Sequence, residues 1–145
     1  MPPTSPPRVR GLVLAAGAGR RMGGPKALLP APAGGTLVAA AIRVLLSGGC
    51  DGVTVVLGAA AEDVRAAVGT VPVPKSADIA SPEPDIASPE PDIDVVECPD
   101  WADGMGASLR TGLRHIRELA DYEAVLVTLV DLPDVTPDVT RRLLT

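Results

Sequence analysis

Apolar and polar residues fall along this chain in blocks. Arg8 to Ala16 is a mostly apolar run carrying Val9, Leu12, Val13 and Leu14, and it predicts a buried strand. Thr36 to Ser47, TLVAAAIRVLLS, sets Leu37, Ala40, Ala41, Val44 and Leu45 at helical spacing. Thr36 is its candidate N-cap, and Gly48-Gly49 its stop. Gly52 to Gly58, GVTVVLG, predicts a second buried parallel strand, and AAEDVRAAV after it a short helix. DVVEC, Asp94 to Cys98, predicts a third strand. Met105 to Ala120 predicts a helix with Leu109, Leu113, Ile116 and Ala120 on one face. His115, the only histidine, falls off that face and reads as a solvated surface residue. EAVLVTLVD, Glu123 to Asp131, is the clearest strand, and it reads as a central one closed by an acid. Thr136 as N-cap and Pro137 at the first helical position open a last helix.

Strands thus alternate with helices. The pattern predicts an α/β fold: a Rossmann-like open, mostly parallel sheet with helices on both faces and right-handed crossovers. The chain stops inside a helix, so the expectation is a domain incomplete at its C-terminus. One segment breaks the pattern. DIASPEP occupies Asp78 to Pro84 and repeats identically over Asp85 to Pro91. Two prolines per copy exclude a helix or a central strand. The expectation is an acidic, extended insertion in a surface loop, residues 72–92. The opening MPPTSPPRVR lacks the apolar stretch of a signal peptide and predicts a disordered tail over residues 1–8. Residues 9–145 remain as one domain.

Composition narrows the function. The chain of 145 residues is 46% hydrophobic, with no Phe, one Trp and one Tyr, so the core must come from Val, Leu, Ile and Ala. A net charge of -5 and the near absence of aromatic rings remove both usual handles for nucleic acid. No apolar run approaches the ~20 residues of a membrane span. Cys50 and Cys98 match no metal or C-x-x-C spacing and read as two reduced thiols of a cytoplasmic protein. Small-molecule chemistry is what remains.

The candidate chemistry lies in LVLAAGAGRRMGGPKALLP, Leu12 to Pro30. A Walker A loop fails here twice. Pro25 separates Gly24 from Lys26, and Ala27 stands where a Mg²⁺-binding hydroxyl is required. A dinucleotide fingerprint is weak, because Met22 fills the third glycine slot. The loop nevertheless suits a polyphosphate. Glycines let backbone N–H groups approach anionic oxygens, while Arg21 and Lys26 bring positive charge into an acidic chain. It leaves the carboxyl end of the first strand, where open α/β sheets bind ligands.

The run Leu14-Ala15-Ala16-Gly17-x-Gly19-x-Arg21-Met22-Gly23-x-x-Lys26 resembles the L-A-[AG]-G-x-[SG]-x-R-M-G-x-x-K signature of the MobA-like nucleotidyltransferases. These include the molybdenum cofactor guanylyl- and cytidylyltransferases. CPDWADGMGASLRTGL, Cys98 to Leu113, is similar to the family's N-P-x-W-x-x-G-M-x-x-S-L-x-x-G-L block, with Cys98 in place of Asn. VTLVDLPDVTPDVTRRLL, Val127 to Leu144, resembles its strand-Asp-x-Pro segment.

The resemblance implies the nucleotide-diphospho-sugar transferase type of sheet. It implies that Leu14, Ala15, Ala16 and Gly17 line the base and ribose, and that Gly19, Arg21 and Lys26 hold the triphosphate. Arg21 and Lys26 would be the catalytic pair, Ser108 would help fix the nucleoside, and Asp131 would bind Mg²⁺. The implied reaction moves a nucleoside monophosphate from CTP, favoured by the L-A-A-G form, to a phosphorylated acceptor such as molybdopterin. Pyrophosphate leaves, and a molybdoenzyme or its chaperone is the implied protein partner. Trp101 matches the motif and reads equally as a packing residue. Two rival readings stand beside this one. Some MobA-like proteins resemble nicotine blue oxidoreductase, which implies NAD(P)H-dependent reduction. The other is a non-catalytic nucleotide-binding module.

Overall fold

The computed structural model describes residues 8–16, 26–32, 34–59, 61–69, 92–119, 122–130 and 136–144. Strand β1, Val9–Ala15, lies at the centre. It pairs in parallel with β2, Gly52–Leu57, on one side and with β4, Ala124–Leu129, on the other. Beyond β2, the strand β3, Asp92–Glu97, adds in parallel, giving the order β3-β2-β1-β4. Every residue of β1 and β2 is buried, as near-continuous apolar runs in a doubly covered parallel sheet require.

Helices cover both faces. Helix α1, Leu37–Gly48, and helix α2, Ala61–Gly69, follow β1 and β2. With helix α4, Pro137–Leu144, they pack on the face showing Val9, Val13, Ala15, Val53, Val55 and Leu57. Helix α3, Met105–Leu119, takes the other face, over Leu12, Leu14, Ala16 and Val56. The period of two along each strand explains the split, since consecutive side chains go to opposite layers.

The expected element ends hold where they rest on local chemistry. Thr36 Oγ1 accepts from the Ala39 N–H at 3.2 Å, and Gly49 closes α1 with φ of 115°. Thr136 Oγ1 caps α4 by accepting from Val139 N–H at 3.3 Å. The third strand begins two residues earlier than DVVEC suggests, at Asp92. The fourth strand, expected to be central, lies at the edge of the described sheet. Among the described residues β4 pairs only with β1, and Ala124 and Val127 on it are exposed. The tail before Arg8 and the DIASPEP repeat lie outside the described residues.

Candidate functional site

The glycine-rich loop leaves β1 at its carboxyl end. Leu14, Ala15 and Ala16 are buried, with Ala15 facing the α1–α2 layer and Leu14 and Ala16 facing the α3 layer. Their side chains therefore serve packing, and what they can offer a ligand is backbone. The Ala16 carbonyl already accepts a hydrogen bond from Ala59 N–H at 3.1 Å, which ties the ends of β1 and β2 together. Gly17, Gly19 and Arg21 lie outside the described residues. The loop returns at a single 3₁₀ turn, Lys26–Leu28. Ala27 there is buried in the α1–α2 core, and Leu28 packs against it.

The Cys98-to-Leu113 segment closes the other side of the strand ends. Cys98 N–H donates to the Leu57 carbonyl at 2.8 Å, and a 3₁₀ turn, Trp101–Asp103, follows. Gly104, with φ of 117°, then opens α3. Trp101 packs on the α3-side core and crowds Gly58. A Cβ on Gly58 would fall 2.6 Å from Trp101 Cβ and 2.7 Å from the Ala16 carbonyl oxygen. Glycine is thus required by space there, and Trp101 is a packing residue at the margin of the strand ends. Ser108 is buried near the start of α3, and the adjacent Ala107 joins Leu14, Ala16 and Cys98 in one apolar cluster. The first turns of α3 and the exit of β1 are thereby brought together. Cys98, also buried, accepts a weak hydrogen bond from Thr111 Oγ1 at 3.4 Å. Asp131 lies outside the described residues, and among those described no three His, Cys, Asp or Glu side chains converge as a metal would need.

Sequence reasoning missed a polar network at the opposite end of the sheet. Arg10, wholly buried on the α3 face of β1, donates from Nε to Thr54 Oγ1 at 3.1 Å. Its Nη2 reaches the Val53 carbonyl at 3.1 Å and Asp94 Oδ1 at 2.7 Å. Thr54 Oγ1 also donates to Asp94 Oδ1, at 2.7 Å. His115 is not a solvated surface residue. It is 27% exposed, and its Nε2 stands 2.6 Å from Asp94 Oδ2. Tyr122 flanks the group, with Arg8 stacked over its ring and its hydroxyl 3.4 Å from Arg10 Nη1. Burial by itself would raise the Asp94 carboxyl. Hydrogen bonds from Thr54 and His115, and the charge and hydrogen bond of Arg10, outweigh it and hold the group below the usual aspartate range. The sequence did carry a signal: a charge inside an apolar parallel strand demands a buried partner.

An open parallel sheet with a glycine-rich loop at the carboxyl end of its central strand defines an α/β domain of the nucleotide-handling kind. Comparison with known proteins is more specific. A profile of the MobA-like NTP transferase domain matches residues 11–145, and the chain belongs to that family. It is 38% identical over 144 residues to nicotine blue oxidoreductase of Paenarthrobacter nicotinovorans, covering 97% of this chain and 58% of the relative. A nucleotidyl transferase from Methanothermobacter thermautotroptrophicus superposes with a TM-score of 0.67 at 30% identity, over 94% of this chain and 56% of that one. A Mycobacterium tuberculosis protein, solved in complex with manganese, does so with a TM-score of 0.57 at 31% identity, over 94% and 57%. The chain therefore spans somewhat under three-fifths of the length of each. No described helix is long and apolar enough to cross a membrane.

Proposed function

We propose that this chain forms the nucleoside-triphosphate half of a nucleotidyltransferase. The supporting observation is that the exit of β1 at Ala16 and the start of α3, at Ala107 beside Ser108, share one apolar cluster, with the turn after Lys26 seated in the core of the opposite face. In this reading Gly17 and Gly19 present backbone N–H groups to the phosphates, and Arg21 and Lys26 neutralise them. An acceptor phosphate oxygen attacks the α-phosphorus of the nucleotide. The bond to the bridging oxygen breaks, and pyrophosphate departs with the electron pair. Such a transfer needs positioning and charge neutralisation more than a strong base. Arg21 and Lys26 are the groups that stabilise charge growing on the leaving pyrophosphate. A divalent ion, Mg²⁺ in this proposal, bound by Asp131 would add neutralisation of the phosphates. The manganese complex of a family relative supports divalent metal use.

CTP is the favoured nucleotide, on the L-A-A-G form at Leu14 to Gly17. The acceptor is a small phosphorylated molecule of the molybdopterin kind, and a molybdoenzyme or its chaperone would receive the product in the cytoplasm. Residues 9–145 act as one domain, with the Pro-rich repeat as a loop insertion ahead of β3. A second reading is favoured by the name of the 38% identical relative: the same loop would hold the pyrophosphate of NAD(P)H in a nicotine blue oxidoreductase. Thermal-shift titration separates the two. Stabilisation by CTP with Mg²⁺ and none by NADPH is expected, and the reverse result rejects the transferase reading. A third reading, a non-catalytic nucleotide-binding module, predicts stabilisation by nucleotide without pyrophosphate release.

A further inference from the structure

Ser108 and His115 are seven residues apart on α3. Seven residues span about 10.5 Å of helix axis and return to nearly the same face. Ser108 is buried at the end of the sheet that carries the glycine-rich loop, whereas His115 is bonded at the other. Between them Gly112 sits so close to the sheet that a Cβ would fall 2.7 Å from Leu12 Cδ1 and 2.9 Å from Val56 Cγ2. This contact sets how near α3 lies to the strands. The fit excludes a shift by a whole residue, yet being apolar it sets the axial position less finely than a directional bond does. Thr111 to Cys98 helps little, since sulfur is a weak acceptor at 3.4 Å. The directional contact is His115 Nε2 to Asp94 Oδ2 at 2.6 Å. Asp94 is itself immobilised by Thr54 of β2 and Arg10 of β1, both at 2.7 Å.

We propose that His115 and Asp94 are positioning residues for the nucleotide site: their contact fixes the axial register of α3 against β1, β2 and β3, and so the depth at which Ser108 meets the ligand. The inference rests on the nucleotide reading of Ser108 and deepens it. A helix is stiff along its axis, so a fixed point two turns away governs where its first turns lie. Loss of the pin should therefore be felt at Ser108 as well as around residue 115.

The test compares His115→Ala with His115→Gln, whose side-chain amide can donate to the same carboxylate oxygen. Amide hydrogen exchange is read along α3, and steady-state kinetics are read with CTP, Mg²⁺ and a phosphorylated pterin acceptor. His115→Ala should speed exchange at residues 105–109 by about tenfold, with the helices on the other face unchanged. It should raise the nucleotide KM by roughly threefold to tenfold while kcat moves little. His115→Gln should restore most of both. Faster exchange confined to residues 114–118, or equal loss across every helix, overturns the proposal. So does failure of Gln to rescue in a variant that melts like the parent. A parent protein that turns over no nucleotide rejects the transferase reading instead, and the exchange comparison still decides the pin.

Discussion

Arg10 and Asp94 show how one buried charge shapes its surroundings. A guanidinium with no exposure is tolerated because Thr54, the Val53 carbonyl and Asp94 all accept from it. Removing one partner of such a pair costs roughly 3–5 kcal/mol, because the other is left buried and uncompensated. Asp94 titrates below its ordinary value when folded, so its stabilising effect is complete above the unfolded aspartate pKa of ~3.9 and is lost as pH falls through the folded value. Asp94→Asn should therefore lower Tm at neutral pH and flatten the fall in Tm on acidification below the ordinary aspartate pKa of ~3.9. Parallel melting curves for parent and variant across that range would contradict the assignment. Cys50 is a different case. Burial first, and then the charge of Asp51, push its thiol up to about 11 against a smaller pull from Arg10. Native protein at pH 8 should leave Cys50 unalkylated by iodoacetamide while unfolded protein is labelled, as mass spectrometry would read.

Helix α3 shows how far an element could be read before its neighbours were known. Its span was legible, because Leu109, Leu113 and Ile116 recur at helical spacing. Its inward face was only partly legible. The leucines flank the contact, while Ala107, Ser108 and Gly112 lie buried along it beside Ile116. Small residues let the backbone approach the sheet, a closeness that only the opposing Leu12 and Val56 define. Gly112→Ala should accordingly destabilise by about 1–3 kcal/mol through overpacking, despite alanine's better helix propensity. Chemical denaturation checks this, and an unchanged or raised midpoint would place α3 farther from β1 than described. The polar network was illegible for a related reason. Arg10, Asp94 and His115 meet only because β2 lies between β1 and β3 with Thr54 paired to Asp94, and pairing order is not written in any one segment. The caps at Thr36 and Thr136 depend on neighbours three residues away, and they were legible.

The sheet places two kinds of polar chemistry at its two ends. At the amino ends of the strands, Arg10, Thr54, Asp94 and His115 satisfy one another. At the carboxyl ends, Ala16 at the exit of β1 shares an apolar cluster with Ala107 beside Ser108 on one face, while Ala27 beside Lys26 belongs to the core on the other. The order β3-β2-β1-β4 puts the exit of β1 between two parallel neighbours, the usual place for a ligand in an open α/β sheet. Alternation of strands and helices foretold an open parallel sheet covered on both faces, though not its strand order. It read β4 as central, and among the described residues that strand pairs only with β1. Pyrophosphate release from CTP and Mg²⁺ with a phosphorylated pterin acceptor tests the central claim most directly, with the parent set beside Lys26→Ala. Release by the parent, reduced at least about 100-fold in Lys26→Ala at unchanged Tm, is the predicted result. Equal release by both proteins, or none by the parent with CTP, GTP, ATP or UTP, would contradict it.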